Sequence, residues 1–391
     1  MIMAVKIRLR PTSEQEALFW KSAGTARWAF NYFLAENQKQ YEAFKRGETK
    51  QKGLAEEVIR KRINNELKPT THQWLKEVGS NVMKQAVKDA NEAFKRFLKG
   101  EAGYPKFKSK RKSKPSFYVR YETLKREPNG FRGERLGYVK TAQPLPELKE
   151  GEKYSNPRIT YDGKNWFISV GFTIEPEKQE LTDTVVGIDL GVKNLAICST
   201  GKVYKNINKS RRVKELKKKL RRAQRKLSRK LLANTKGYTS NRRPIYTTPL
   251  KDCKNIQKQN DKIRTLYKKL SDIRKNHLHQ TTTEIVKNKP FRIVMEDLNV
   301  SGMMKNRHLS KAIAEQGFYE FIRQMKYKCE ETGIEFIQTG RFYPSSKKCS
   351  NCGHIKHDLK LSERTYICPE CGLAIDRDLN AAINLANYQP A

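Results

Sequence analysis

Two cysteine pairs, Cys349-x2-Cys352 and Cys368-x2-Cys371, separated by fifteen residues, constrain this chain more than any other feature. Each pair fits a tight turn that Gly353 or Gly372 can support, and four thiolates so spaced can meet one tetrahedral Zn2+. A closed four-sulfur site leaves no position open to water, so the spacing predicts a structural Zn2+ and not a catalytic one. The other three cysteines, Cys198, Cys253 and Cys329, are scattered, and an odd total of seven argues for a reducing compartment over a disulfide framework. No run reaches the roughly 18 apolar residues of a membrane span, and the amino-terminal residues lack an apolar stretch of signal length. The expectation is a cytoplasmic protein with no membrane partner.

Charge narrows the partner. Lys and Arg number 81 against 41 Asp and Glu, a formal charge of +40. Such an excess repels itself unless a polyanion lies against it, which points to nucleic acid. The excess is concentrated: from Lys205 to Lys230 there are fourteen basic residues against the single acid Glu215. A solvated helix face is the usual fate of a charge run, but one acid cannot satisfy fourteen cations by i,i+4 pairing, so phosphate contact is expected there. Arg211, Arg212, Lys218, Arg221, Arg222 and Arg225 are the candidates, and Leu216, Leu220, Ala223 and Leu227 give the helix its narrow apolar stripe.

With 391 residues the chain has room for two or three domains. Val5, Ile7 and Leu9 alternate with basic residues as a half-buried strand, which Pro11 ends. Ser13 with Glu16 can form a capping box, and apolar residues then recur at helical spacing, so residues 11–100 read as a helical module. The segment Gly103 to Lys112, with Tyr104, Lys106, Phe107 and Lys108, breaks that period and reads as a basic boundary whose aromatics could stack on bases. Residues 101–180 then alternate as antiparallel strands, with Asp162-Gly163 as a hairpin turn, and the first strand could join that sheet. A third region, 181–391, opens on an apolar strand ending at Asp189, continues through two basic helices and a strand ending at Glu296, and closes on a helix that begins near Asp376.

Those three acids form the candidate reaction centre. Carboxylates at the ends of buried strands repel one another unless cations neutralise them, and metal-dependent phosphodiester cleavage needs such a cluster to hold two Mg2+ roughly 4 Å apart. Taken singly, each acid has a plainer reading: a strand-end Asp is commonly a turn former, and Asp376 could merely cap its helix. His277 and His279, two apart on a helix, point different ways and read as surface or packing residues.

Gly187-Ile188-Asp189-Leu190-Gly191, Val294-Met295-Glu296-Asp297-Leu298, the stretch from Phe342-Tyr343-Pro344 to Asn351-Cys352-Gly353, and Asp376-Arg377-Asp378-Leu379-Asn380-Ala381-Ala382-Ile383-Asn384 together resemble the TnpB family of bacterial and archaeal insertion sequences. The resemblance implies an RNA-guided DNA endonuclease, ancestral in type to the type V CRISPR effectors, that binds a guide RNA transcribed from the transposon end. It implies an α/β multidomain fold: an RNase H-like (RuvC) nuclease domain over 181–391 with a zinc ribbon inserted at 345–375, and a β-barrel wedge domain (1–10 and 101–180) carrying the helical recognition module (11–100). It implies that Asp189, Glu296 and Asp376 are one Mg2+-binding triad. Asp378 competes for the third place, since the two face different ways at a helix start, and Asp376 is the expectation. The resemblance further suggests Ser80, Asn81 and Lys84 at the reader of a target-adjacent motif, and Arg364 as a guide for the substrate strand. A monomer is favoured. Two rivals stay open: a strand-transferring transposase, which an acid triad serves equally well, and an RNA-guided DNA-binding regulator that does not cut.

Overall fold

The computed structural model describes residues 2–175, 179–360 and 362–389, and the chain divides into two compact units, Met1–Glu175 and Pro176–Ala391. No helix among the described residues is long and apolar enough to cross a membrane.

In the first unit the opening strand, Ile2–Arg10, lies in the middle of a seven-stranded antiparallel sheet. It pairs along most of its length with Trp166–Thr173, Val5 opposite Val170 and Ile7 opposite Ile168, and at its end with Gly137–Thr141. Ile7 and Leu9 are buried on one face as the two-residue period requires. The expected hairpin forms: Ser155–Tyr161 pairs with Trp166–Thr173, and the Asp162 carboxylate accepts from the Lys164 and Asn165 N–H groups at 2.9 and 2.8 Å while Gly163 takes a positive φ.

Between first strand and sheet the chain inserts its helices, chiefly Ser13–Lys45 and Ser80–Leu98. The long helix is capped one residue earlier than the sequence suggests. Thr12, held extended after Pro11, accepts from the Gln15 N–H, and the Gln15 side chain accepts from the Thr12 N–H, so Ser13 and Glu16 do not form the box. Between the two long helices of the expected helical module lies a short α-helix, Glu56–Arg62, continued by a wider π-type turn over Ile63–Leu67. Phe19, Phe33, Ile59, Phe131 and Trp166 are buried in one core shared by helices and sheet, and Arg158 on the sheet grips Asp89 on a helix through two bonds of 2.7 and 2.8 Å.

In the second unit a five-stranded mixed sheet runs in the order Val203–Lys205, Asn194–Cys198, Thr182–Leu190, Pro290–Glu296, Glu335–Thr339. The first three strands are antiparallel neighbours; the last two run parallel to Thr182–Leu190. Helices Lys254–Lys287 and Phe318–Thr332 cover the sheet, burying Leu278, Ile285, Phe321 and Met325 against Ile188, Ile293 and Met295. The two basic helices are an antiparallel pair, Arg211–Ala233 against Lys254–Lys287, closed by Val213, Leu220 and Ala223 facing Ile263, Leu266 and Leu270. The last helix is Arg377–Ala386.

Candidate functional site

The sheet register brings two of the three acids side by side. Val294 pairs with Gly187 and Met295 with Ile188, so the next residues in the same parallel register are Glu296 and Asp189. Adjacent strands lie about 4.8 Å apart, and residues paired in this way present their side chains on one face. On the far side Glu296 pairs with Thr339, whose buried hydroxyl has no hydrogen-bond partner among the described residues.

The third acid comes from the last helix, and a glycine lets it approach. A Cβ on Gly187 would lie 2.0 Å from the Ala382 carbonyl and 2.4 Å from the Ala386 N–H nitrogen, so the helix backbone lies directly on the strand. Gly187 and Asp189, two apart on a strand, share that face. The start of the helix carries Asp376, Arg377 and Asp378. Asp376 caps it, its carboxylate accepting from the Asp378 and Leu379 N–H groups at 3.0 and 3.1 Å. The Asp189 carboxyl is held well above the usual carboxylate range, by burial first, then by the charges of Asp378 and Glu296, with Arg377 opposing and Asp376 weighing least. Glu296 is also raised, by burial and by Asp297. Among the described residues none of Asp189, Glu296 and Asp378 forms an ion pair. Uncompensated carboxylates beside an orphaned hydroxyl make a hard oxygen donor set of the kind that suits Mg2+.

The turn after Asp189 is clamped from a distance. The buried Gln316 amide donates to the carbonyls of Gly191, Val192 and Asn194 at 2.9, 3.3 and 3.2 Å. Gln316 carries no pattern in the sequence; its role appears only when the fold sets it against a turn more than 120 residues away.

The four cysteines meet as their spacing requires. Their sulfurs lie within 4.8 Å of one another, with Cys349 to Cys371 at 3.6 Å and Cys352 to Cys368 at 3.5 Å. Zn–S bonds of about 2.3 Å give a tetrahedron whose edges are about 3.8 Å, so the cluster fits a single metal ion. Gly353 and Gly372 take positive φ and donate back to Cys349 and Cys368, closing each turn. Tyr366, fully buried, fills the cluster's small core.

Two buried asparagines on the last helix tie this module to the acids. Asn380 donates to the Lys348 carbonyl at 2.7 Å and accepts from the Ser350 N–H at 3.0 Å. Asn384 donates to the carbonyls of Ser345 and Lys348 at 2.8 and 2.6 Å. The helix that presents Asp378 is therefore bonded directly to the first cysteine turn.

The expected nucleic-acid contacts are spread over both units. In the first, Ser80 and Lys84 are exposed and line an open cleft with Arg60, Lys61 and Asn64, while Asn81 faces Glu134 at 3.4 Å. Lys106 is exposed. Lys108 is folded inward: its backbone N–H and C=O bond the Asn31 side chain, its ammonium lies 3.6 Å from the Phe30 ring centroid, and burial lowers its pKa. In the second unit Arg211, Arg212, Lys218, Arg221, Arg222 and Arg225 are all exposed. Glu215, the single acid of the run, pairs with Arg211 at 2.9 Å; among the described residues the other five form no ion pair. Arg222 and Arg225 line an open groove with Lys226, Arg229 and Lys230. Arg364 is exposed and its carbonyl accepts from the Arg377 N–H at 2.9 Å. His277 donates its Nε2–H to the Lys205 carbonyl at 3.0 Å, in keeping with a packing role.

Known relatives match almost the full chain in sequence. A putative RNA-guided DNA endonuclease of Streptomyces pristinaespiralis is 30% identical over 98% of this chain and 88% of its own length, and the putative RNA-guided DNA endonuclease InsQ of Escherichia coli K12 is 30% identical over 98% and 91%. The chain belongs to the TnpB/Cas12f1-like RNA-guided endonuclease family. Family models match residues 318–385 (Cas12f1-like, TNB domain), 168–307 (probable transposase) and 1–46 (helix-turn-helix domain). The last of these stretches is here one strand and one uninterrupted helix, Ser13–Lys45. A cryo-EM structure of a Cas12f1–sgRNA–target DNA complex aligns over 99% of both chains with a TM-score of 0.57 at 15% identity, a likeness of fold.

Proposed function

We propose that the protein is an RNA-guided DNA endonuclease that cuts target DNA beside a short motif by metal-dependent phosphodiester hydrolysis. The observation that carries this reading is geometric: Asp189 and Glu296 end adjacent parallel strands in register, and the last helix, whose start carries Asp376 and Asp378, lies with its backbone directly on Gly187 of the same strand. In this family such a cluster would serve as the nuclease centre. Two Mg2+ ions held there would supply an activated water and stabilise the leaving oxygen.

The chain's own residues then have distinct tasks. Asp189 and Glu296, in register on adjacent strands, supply hard oxygen donors from one sheet face. For the third donor the surroundings favour Asp378 over Asp376: the Asp376 Oδ1 accepts both cap bonds and so fixes that side chain on the helix start, and the Asp378 charge weighs more on Asp189. Gln316 keeps the turn after Asp189 in place. Guide RNA and target strand would lie along the exposed face of Arg212, Lys218, Arg221, Arg222 and Arg225, base pairing reading the target and the protein only the adjacent motif. Ser80, Asn81 and Lys84, at or beside the open cleft of the first unit, are proposed to read that motif, with Lys106 and Arg364 as backbone contacts.

Residues 181–391 would be the RuvC-like domain, 345–375 its zinc ribbon, and 1–10 with 101–180 the wedge barrel around the helical module. What supports the RNase H-like assignment is the pair of acid-bearing parallel strands at the sheet centre with a helix delivering a further acid. The ribbon would hold one structural Zn2+. Cys368→Ser should release the metal, measured by mass spectrometry, and lower cleavage at least about tenfold through Asn380 and Asn384, while guide-RNA binding persists. Full cleavage by the metal-free variant would refute that coupling.

Purification from cells carrying the natural flanking DNA, followed by sequencing of the bound RNA, tests the whole reading. One dominant RNA with a fixed scaffold and variable guide, programming cleavage of a matched target, is the expected result. RNA-independent strand transfer would instead favour the transposase reading that one family description suggests, and guided binding without cutting would favour the regulator.

A further inference from the structure

Among the described residues, the most exposed large apolar side chain is Phe342, at 93%. It is not at the tip of a loose loop. On one side Arg341 reaches the Asp297 carboxylate at 3.0 Å. On the other, the Tyr343 hydroxyl donates to the Asn384 carbonyl at 3.1 Å and its ring lies edge-on to Tyr388 at 5.0 Å. Backbone bonds from Tyr343 to Gly340 and from Ser345 to Tyr343 close the turn. Both neighbours of Phe342 are thus tied down and the ring between them is held in water, where a mobile loop would fold it inward.

Its place is set by the strands. Thr339 pairs with Glu296, and Phe342 is three residues further on, so its α-carbon lies within about 11 Å of that of Thr339. Asp297, which anchors Arg341, directly follows Glu296. Phe342 is therefore close along the chain to the strand end that carries the cluster, in a segment that continues into Lys347, whose ammonium donates to the His357 carbonyl at 3.0 Å, and Lys348. A flat occupant with apolar faces, a polar rim that stays in water and an attached anion matches this setting.

We propose that the Phe342 ring is a stacking platform for one unpaired nucleobase of the DNA strand entering the carboxylate cluster. The proposal rests on the nuclease reading above and adds to it a positioning residue that touches the substrate base next to the scissile bond. Every base has a π-face, so the contact is tolerant of sequence, and one such stack corresponds to roughly a five- to hundredfold change in an equilibrium or rate. Holding the base fixes the adjoining phosphate over the acids.

Phe342→Ala, in the RNA-loaded full chain, should melt as the wild type does and bind guide RNA equally, yet cut guided target about tenfold more slowly; Phe342→Trp and Phe342→Tyr should restore the rate. A scan of single abasic nucleotides through the cleaved region should find one position that slows the wild type and leaves Phe342→Ala no slower still. A single-stranded DNA oligonucleotide carrying 2-aminopurine gives a readout independent of cleavage: its fluorescence should be quenched by cleavage-dead Asp189→Asn protein and not by the Phe342→Ala double variant. Wild-type cleavage and quenching by Phe342→Ala overturn the proposal, as does a defect that Trp fails to rescue or that multiplies with every abasic site. If the wild type cuts no guided target, the nuclease reading falls and the quenching comparison still decides the stacking. A concentration-dependent dimer lost in Phe342→Ala, with quenching unchanged, overturns it in favour of a contact between copies.

Discussion

Asp189→Asn should abolish cleavage, by at least about a thousandfold, and at the same time raise the melting temperature of the metal-free protein. Both effects come from one geometry. Burial and the charges of Asp378 and Glu296 lift the Asp189 carboxyl well above its usual range. The folded state therefore keeps the Asp189 proton at a pH where the unfolded chain, with a carboxyl near 3.9, has released it. Over that window the native state binds more protons than the unfolded one, so stability falls as pH rises, and the loss is complete once pH exceeds the folded value. Asparagine carries no charge and removes the loss. Thermal melts in chelator at pH 4 and pH 8 should show the variant's advantage growing with pH, and added Mg2+ should raise the wild type more than the variant. Glu296→Gln should behave the same way to a smaller extent, its shift coming from burial and Asp297. Equal melting curves at pH 8 would remove the premise that these carboxylates repel one another. Cleavage retained by both variants would remove the site itself. The combination is what a reaction centre predicts, since residues kept for chemistry commonly sit at the expense of stability.

Local chemistry is what the sequence expresses, and the site divides along that line. The cysteine turns were legible because a Cys-x2-Cys pair with a following glycine fixes its own geometry, and the structure closes both turns with Gly353 and Gly372 at positive φ. Asp189 and Glu296 were legible as strand-end acids, since apolar runs that stop at a carboxylate need no partner to be seen. Their juxtaposition is a matter of register between strands a hundred residues apart: pattern offers it as a candidate beside plainer readings, and the resemblance to a known family joins the acids into one triad. Between Asp376 and Asp378 neither route decides: both acids fit a helix start, two residues apart, and which one caps depends on where the helix begins. A one-residue shift likewise separates Thr12 from Ser13 at the first helix. Lys108 marks the other limit. Composition places it in a basic, exposed segment, while Asn31, 77 residues away, draws its backbone in and leaves its ammonium on Phe30. Gln316 and the Asn380–Asn384 pair are polar residues in apolar surroundings whose partners are carbonyls of distant loops, and a carbonyl has no signature in sequence.

Gly187→Ala should damage cleavage severely, although glycine offers no chemistry. The added methyl would meet the Ala382 oxygen at 2.0 Å and the Ala386 nitrogen at 2.4 Å, both backbone atoms that cannot swing aside as a side chain would. Relief requires the last helix to lift from the strand by about 1 Å or more, since non-bonded carbon contacts settle at about 3.5 Å. Three things move with it: Asp378, Asp376 and the asparagines that hold the first cysteine turn. Overpacking of a core of this kind costs about 1–3 kcal/mol, which a melt will register as several degrees in the second unit. Cleavage should drop more than stability does, by about a hundredfold, because displacement of a donor group by about 1 Å is enough to lose that much rate. Guide-RNA binding should persist, since the basic helix pair has its own core of Val213, Leu220, Ile263 and Leu266. Gly237→Ala, where an added methyl meets nothing within 4 Å, is the matched control and should change neither. A Gly187→Ala protein that cuts and melts as the wild type does would mean that the helix is not seated on this strand, and the delivery of the third acid by close backbone approach would have to be abandoned.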